Sequence, residues 1–288
     1  MNRYVKLCLT VGIGAWLGAA TASAQLIFGA GYVGSAQTAN LYSVDPATGA
    51  GTLIGSTGLK QLSALDFNPT TGVLYGIGKT GAGFVLATIN TATGASTTIG
   101  GVGTIPFQDI AFASNGTLYG LSNGGLYTIN ITTGATTLIN SATAGFYGDG
   151  LDFGPGGVLY ENTELSTAMA LYSVNPATGV ATLINNNTFP PAYPTTLSDI
   201  PRIVALDFFS PTNTMYATVF AGTGSGATPD LVSYLATVNL TTGVVTNIGL
   251  TVTGLDAIAI YAVPEPSSLA LMGVGAGLLF WRKRRRLV

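Results

Sequence analysis

Five times along the chain the same pattern returns: LYSVDPATGAGTLIG from Leu41, LATINTATGASTTIG from Leu86, LYTINITTGATTLIN from Leu126, LYSVNPATGVATLIN from Leu171 and LATVNLTTGVVTNIG from Leu235. The starts lie 45, 40, 45 and 64 residues apart. Each copy is an alternating run, a turn that opens on Asn or Asp and closes on Thr-Gly, and a second alternating run. Alternation with period two marks a strand with one buried face. Asn and Asp side chains bond the turn backbone and Gly accepts positive φ, so each copy predicts a β-hairpin. A period of this size marks stacked or ring-like repeats.

A second pair of strand-like runs precedes four of the hairpins: ALDFNPTTGVLYGI (Ala64–Ile77), DIAFASNGTLYGL (Asp109–Leu121), GLDFGPGGVLYEN (Gly150–Asn162) and ALDFFSPTNTMYAT (Ala205–Thr218). The unit is four short strands, the size and rhythm of a propeller blade. The first hairpin has only Leu26-Ile27-Phe28-Gly29 before it, which matches the LYG strand. After the fifth comes a lone run, Gly254 to Tyr261, which matches the missing LDF strand. Pairing the two completes the first unit and removes two exposed edges. The expected fold is all-β: a five-bladed β-propeller over 25–262, its C-terminal strand closing the first blade. An open β-solenoid or a sandwich is the alternative. The repeat resembles those of secreted propellers with YVTN- or PQQ-like repeats, although no strict YVTN or PQQ-binding signature is present.

Arg3 and Lys6 precede an apolar run, Leu7 to Ala20, which leads to Ala22-Ser23-Ala24 and Gln25. A basic start, a short apolar core and an A-x-A site predict a secretory signal peptide over 1–24, cleaved after Ala24 by signal peptidase. The single cysteine, Cys8, lies inside it, so the exported body has neither disulfide nor thiol chemistry. Between Gln25 and Ala262 three bases, Lys60, Lys79 and Arg202, stand against eleven carboxylates, a formal charge of −8. Such a body is repelled by phosphate backbones, which argues against a nucleic-acid partner. The chain has no histidine, which removes the usual general base, the commonest metal ligand and every Ser-His or Cys-His dyad.

With the strands of a blade lettered A (LDF), B (LYG), C and D from the axis outward, loops fall on two faces. A–B and C–D turns share one face and are short: NPTTG, SNG, GPGG, SPTN and the Thr-Gly turns. B–C and D–A loops share the other and vary, as in Ser141–Asp149 and Asn186–Arg202. Variable loops on a rigid ring are where recognition is usually carried. On this face the candidate ligand residues are Tyr147, Asp149, Glu161, Glu164, Tyr193, Asp199 and Asp230, with Tyr32, Phe146 and Tyr234 as further aromatics. Rings of this kind stack on sugars while carboxylates accept hydroxyl hydrogen bonds; the alternative is that these are merely soluble loops.

The innermost strands carry a second set. Asp66, Asp152 and Asp207 share the LDF slot, and Asp109 stands two residues earlier in its strand. Asp256 does the same if DAIA is laid on DIAF. A shift of two keeps a side chain on one strand face, so five acids are expected near the channel mouth. Three readings stay open: structural aspartates bonding N–H groups of the neighbouring blade, a Ca²⁺ site built from oxygen ligands, or a carboxylate pair for glycoside chemistry. Gly12-x-Gly14 lies in the signal segment rather than at a strand–helix junction, so it is not a dinucleotide motif.

The last residues, 263–288, form a third segment. Val263-Pro264-Glu265-Pro266-Ser267-Ser268 is followed by a 13-residue apolar run, Leu269–Trp281, and then by Arg282, Lys283, Arg284, Arg285 and Arg286. As a helix the run spans ~20 Å against a hydrocarbon core of ~30 Å, marginal for a transmembrane helix, and the basic cluster acts as a stop-transfer signal. Motif, short apolar helix and Arg-rich end resemble the PEP-CTERM sorting signal of Gram-negative bacteria. The resemblance implies recognition of Pro264, Glu265 and Pro266 by an exosortase, transient membrane residence, and transfer to the cell surface or release. It also implies association with exopolysaccharide and biofilm matrix.

The expected function is therefore a non-enzymatic exported surface or matrix protein that binds exopolysaccharide or a surface glycan, with no cofactor required and Ca²⁺ as the open option. The alternative is a carbohydrate-active hydrolase or lyase using acids such as Asp149, Asp199 or Asp207.

Overall fold

Each Thr-Gly hairpin forms through the turn chemistry its residues supply. Oδ1 of Asp45 accepts the N–H of Ala47 at 2.8 Å, and Asn90, Asn130, Asn175 and Asn239 do the same two residues on, each at 2.9 Å. These bonds also hold the Asp45 carboxyl below its ordinary pKa. The closing glycines, Gly49, Gly94, Gly134, Gly179 and Gly243, have φ between 67° and 80°. A second constraint applies to them. A Cβ on Gly94 would stand 2.6 Å from the Gly55 carbonyl oxygen, one on Gly134 2.7 Å from that of Gly100, and one on Gly49 2.8 Å from that of Gly249. Each turn thus rests on the outer strand of the blade before it, and the first rests on the last.

The computed structural model describes residues 24–31, 38–122, 125–141, 148–165, 168–190, 201–221 and 232–263. Outside them lie residues 1–23, Ala22 among them, Tyr147, Tyr193, Asp199, Asp230, the motif Pro264-Glu265-Pro266, the apolar run Leu269–Trp281 and Arg282–Arg286. The first blade uses β1 (Ala24–Gly31), β2 (Thr38–Val44) and the start of β3 (Gly51–Phe67). The second takes the rest of β3 with β4 (Leu74–Thr80), β5 (Gly83–Ile89) and β6 (Ser96–Gly103). The third is β7 (Phe107–Phe112), β8 (Leu118–Ser122), β9 (Gly125–Ile129) and β10 (Thr136–Ser141). The fourth is β11 (Gly148–Phe153), β12 (Leu159–Leu165), β13 (Ala168–Val174) and β14 (Ala181–Asn186). The fifth is β15 (Arg202–Phe209), β16 (Thr214–Ala221), β17 (Val232–Val238) and β18 (Val245–Leu250). Finally β19 (Leu255–Val263) runs antiparallel beside β1, Ala24 opposite Val263 and Ile27 opposite Ile260, and supplies the inner strand the first blade lacks.

One feature departs from the repeat. β3 is a single 17-residue strand shared by the first two blades, so that their sheet runs through seven strands, β19-β1-β2-β3-β4-β5-β6. It turns at Gly58 (φ 74°) and Gln61 (φ 46°) rather than breaking into a loop.

The core is divided into five apolar clusters, each shared by two neighbouring blades. Leu62, Leu65 and Phe67 pack with Phe28 and Leu41 between the first and second blades; Ile27 and Ile258 pack with Phe209 and Leu235 between the fifth and first. Buried apolar area of this kind, at ~25 cal/mol per Å², is the main term holding blade to blade. Tyr234 belongs to this core rather than to the loop face, packed in the cluster between the fourth and fifth blades.

The register corrects one alignment. Leu65, Ile110, Leu151, Leu206 and Ile258 are the equivalent inner-strand residues, opposite Gly76, Gly120, Glu161, Ala217 and Gly29. All five inner pairs carry a bulge just before this point. Asp256 falls in the bulge, level with Gln108, and not with Asp109 as the DAIA-on-DIAF match had it. A one-residue slip in a strand moves a side chain to the other face, so Asp256 does not join the axial acids.

Candidate functional site

The LDF strands converge on the axis, and there Asp66, Asp152 and Asp207 floor a cavity of about 830 Å³. Its walls include Phe67, Phe112, Phe153, Phe208, Ile260 and Tyr261, and its rim is made by the A–B turns: Asn68 to Gly72, Ala113 to Asn115, Gly154 to Gly157 and Ser210. The cavity therefore opens on the face of short, regular turns, and not on the face of variable loops where ligand residues were expected. The signal was present in the sequence, since each LDF is followed directly by its turn.

Each axial carboxyl is tied to the next blade. Asp66 accepts the N–H of Phe112 at 2.5 Å and of its own neighbour Phe67 at 2.6 Å. Asp152 accepts the N–H of Phe208 at 2.6 Å, and Asp207 that of Ile260 at 3.0 Å. In the third blade the LDF slot holds Ala111, and Asp109, fully buried, takes the role from two residues earlier. Its Oδ2 accepts both Leu151 N–H at 3.0 Å and Leu206 N–H at 3.2 Å, so it holds the inner strands of two blades at once.

Burial pushes the Asp66 carboxyl up to about 7 despite these bonds. Asp109, Asp152 and Asp207 are raised well above the carboxylate range, first by burial and then by each other's charge. Carboxyls gathered on one axis cannot all ionise. Near neutrality the floor of the cavity therefore carries less charge than three free carboxylates would. With oxygens of Asp66, Asp152 and Asp207 already bonded to backbone N–H groups, the set falls short of the roughly six to eight oxygens that Ca²⁺ takes. Among the described residues no group of three or more His, Cys, Asp and Glu is placed to hold a metal ion.

Of the loop-face candidates among the described residues, Asp149 lies half-buried in β11, and Glu161 and Glu164 lie in β12, the strand paired with it. Glu161 is not a loop residue at all. It sits in β12 at 1 % exposure, with neither carboxylate oxygen hydrogen-bonded, and burial pushes it up to about 8. At its position the other blades carry Gly29, Gly76, Gly120 and Ala217, over which Leu255, Leu62 and Phe107 close to within 3 Å of a would-be Cβ on the three glycines. The fourth blade inverts the pair: Gly148 stands where the large residue should be, and Glu161 fills the space. Reading LYE against LYG together with the glycine at 148 would have revealed this.

Residues 262–286 match the PEP-CTERM protein-sorting motif. The chain thus carries a PEP-CTERM sorting signal at its C-terminus, which implies export. No curated protein matches the chain. Among solved structures it is similar to a chain of the nidogen/laminin complex at 12% identity and a TM-score of 0.53, covering 82% of this chain and 98% of that one. It is also similar to a TolB protein from Agrobacterium tumefaciens (12% identity, TM-score 0.49, 83% and 91% covered) and to a gluconolactonase from Xanthomonas campestris (13%, 0.43, 79% and 89%). These likenesses are of fold: the body is an all-β propeller.

Proposed function

We propose that this is an exported surface or matrix protein of a Gram-negative bacterium, processed at Pro264-Glu265-Pro266 by an exosortase, whose propeller binds exopolysaccharide without catalysing a reaction. The axial cavity is the observation that carries this reading. Its acid floor exchanges hydrogen bonds with hydroxyls, its rim adds Asn68, Thr70, Ser114, Asn115 and Ser210, and its walls include four phenylalanines and a tyrosine. Neutral, hydroxyl-rich ligands suit such a surface, because aromatic and hydrogen-bonding groups share the work of recognition. The backbone bonds made by each acid favour binding over catalysis, since an acid fixed to a neighbouring strand is poorly placed to shuttle protons.

The test is a glycan array and titration calorimetry on the intact protein, with and without Ca²⁺, alongside Ser210→Trp, which places an indole at the rim of the cavity. Saccharide binding that weakens at least tenfold in this variant supports the reading; no glycan binding, or binding untouched by the indole, sinks it. Intact-mass measurement with and without the host's exosortase tests the processing step.

A second reading, a glycan hydrolase or lyase, draws on several acids with raised pKa values lining one cavity, a pattern common at catalytic sites. Of its candidate acids Asp207 lines the cavity. Release of reducing ends from a bound polysaccharide, lost in Asp207→Asn, would favour it.

A further inference from the structure

Because β3 belongs to two blades, strands β2 to β6 are continuous at the loop-face end, and one row of residues crosses all five. Thr38 stands opposite Lys60, Lys60 opposite Lys79, Lys79 opposite Phe84, and Phe84 opposite Gly103. Two of the three bases of the exported body are thus direct cross-strand partners. Like charges in this relation repel and lower sheet stability. Both lysines are exposed, and the Lys79 ammonium lies 5.7 Å from the centre of the Phe84 ring.

The carboxylates of these blades lie elsewhere: Asp45 in the first Thr-Gly turn, Asp66 on the axis and Asp256 at the bulge in β19. Backbone strain marks the same place. Gln61, next to Lys60, has a φ of 46°, one of two non-glycine residues with positive φ among the described residues. An unbranched polar side chain held in the left-handed region costs on the order of 1 kcal/mol or more, and such strain gathers at binding sites. No other blade repeats the pair. Its neighbour in the chain, the Gly81-Ala82 turn, is short, and a Cβ at Gly81 would meet nothing within 4 Å.

We propose that the row Thr38–Lys60–Lys79–Phe84 binds a carboxylate-bearing polysaccharide. The two lysines, on strands ~4.8 Å apart, pair their ammonium groups with uronate carboxylates along the polymer, Thr38 meets a hydroxyl, and the exposed part of Phe84 lies against a sugar face. An anion seated between the lysines relieves their repulsion, which is why the pair points to a ligand rather than to stability. The anion preference stands on this row alone. That the anion is a saccharide rests on the exported, matrix-associated reading above, and this site lies on the opposite face from the axial cavity.

The experiment measures binding of the intact protein to polygalacturonate, to neutral dextran and to duplex DNA at low and high salt. Polygalacturonate is expected to bind at low salt and to weaken as salt is added. The Lys60→Gln/Lys79→Gln double variant should lose at least tenfold in that affinity, keep its dextran binding, and melt no earlier than the parent. Equal polygalacturonate binding by parent and double variant overturns the proposal. So does dextran binding without polygalacturonate binding, which leaves the axial reading intact. DNA binding as tight as polygalacturonate binding and equally lysine-dependent overturns the saccharide assignment. Binding to neither polysaccharide overturns this site and the axial reading together.

Discussion

Oδ2 of Asp207 accepts the N–H of Ile260 at 3.0 Å, tying the inner strand of the fifth blade to the strand that completes the first. Burial and the neighbouring acids raise the Asp207 pKa well above its usual range, which favours the neutral carboxyl as the acceptor. Asp207→Asn keeps a neutral acceptor of the same shape and is expected to change stability little. Asp207→Ala leaves a buried N–H unpaired and should cost about 1–3 kcal/mol. Urea unfolding of the two variants checks this; equal losses in both would show that the charged form carries the bond.

Glu161 predicts the direction of the pH dependence. Its folded pKa, about 8, lies above its ordinary value of 4.5, so the folded state holds the proton more tightly than the unfolded state. Its favourable contribution is complete below about 4.5 and is lost as pH rises through about 8. Residues 80–201 contain no Lys, Arg or His, so neither the third nor the fourth blade can supply a counter-charge. Between pH 5 and pH 9 the parent should therefore lose stability, on the order of a few kcal/mol, and Glu161→Gln should remove part of that loss, the raised axial acids keeping the rest. Thermal melts across this range decide it, a parallel fall in both proteins counting against the assignment.

Gly94 and Gly81 form a matched pair. An alanine at 94 must adopt a φ of 80° and place its Cβ 2.6 Å from the Gly55 carbonyl, whereas one at 81 meets nothing within 4 Å. Gly94→Ala is expected to destabilise by about 2–4 kcal/mol through strain and a displaced blade contact, and Gly81→Ala by less than ~0.5 kcal/mol. Chemical denaturation of both variants provides the comparison.

Gly150 protects the reach of Asp109. A Cβ there would stand 2.8 Å from Leu206 Cγ and 3.1 Å from the Leu206 nitrogen that donates to Asp109. Gly150→Ala should weaken that bond and cost about 1–3 kcal/mol, with faster amide exchange at Leu206. Unchanged exchange there would mean that the backbone accommodates the methyl elsewhere.

Much of the fold was legible because it is local chemistry repeated. The Asx and Thr-Gly residues specify the hairpins, and the lone runs Leu26–Gly29 and Gly254–Tyr261 are the two inner strands of one blade, now found paired as β1 and β19. The sequence also misled in specific places. Asp256 was matched to Asp109 by residue type, but a bulge offsets the strand by one and turns it away. Glu161 read as a loop acid because the B–C loop begins just after it, and the inverted pair with Gly148 is visible only once two strands from one blade are laid over the other four. The formal charge of −8 overstates the exposed acidity, since five of the eleven acids, Asp66, Asp109, Asp152, Glu161 and Asp207, are buried with raised pKa values.

By itself the sequence determined the strand pattern, the number of units and the sorting signal, because turn residues, period-two alternation and a short linear motif act over a few neighbouring positions. Tertiary structure alone decided which face holds a cavity, which acids are neutral, and that Lys60 and Lys79 meet. Those outcomes depend on register between strands distant in sequence and on how fully neighbouring blades exclude water, and neither is written into any one repeat.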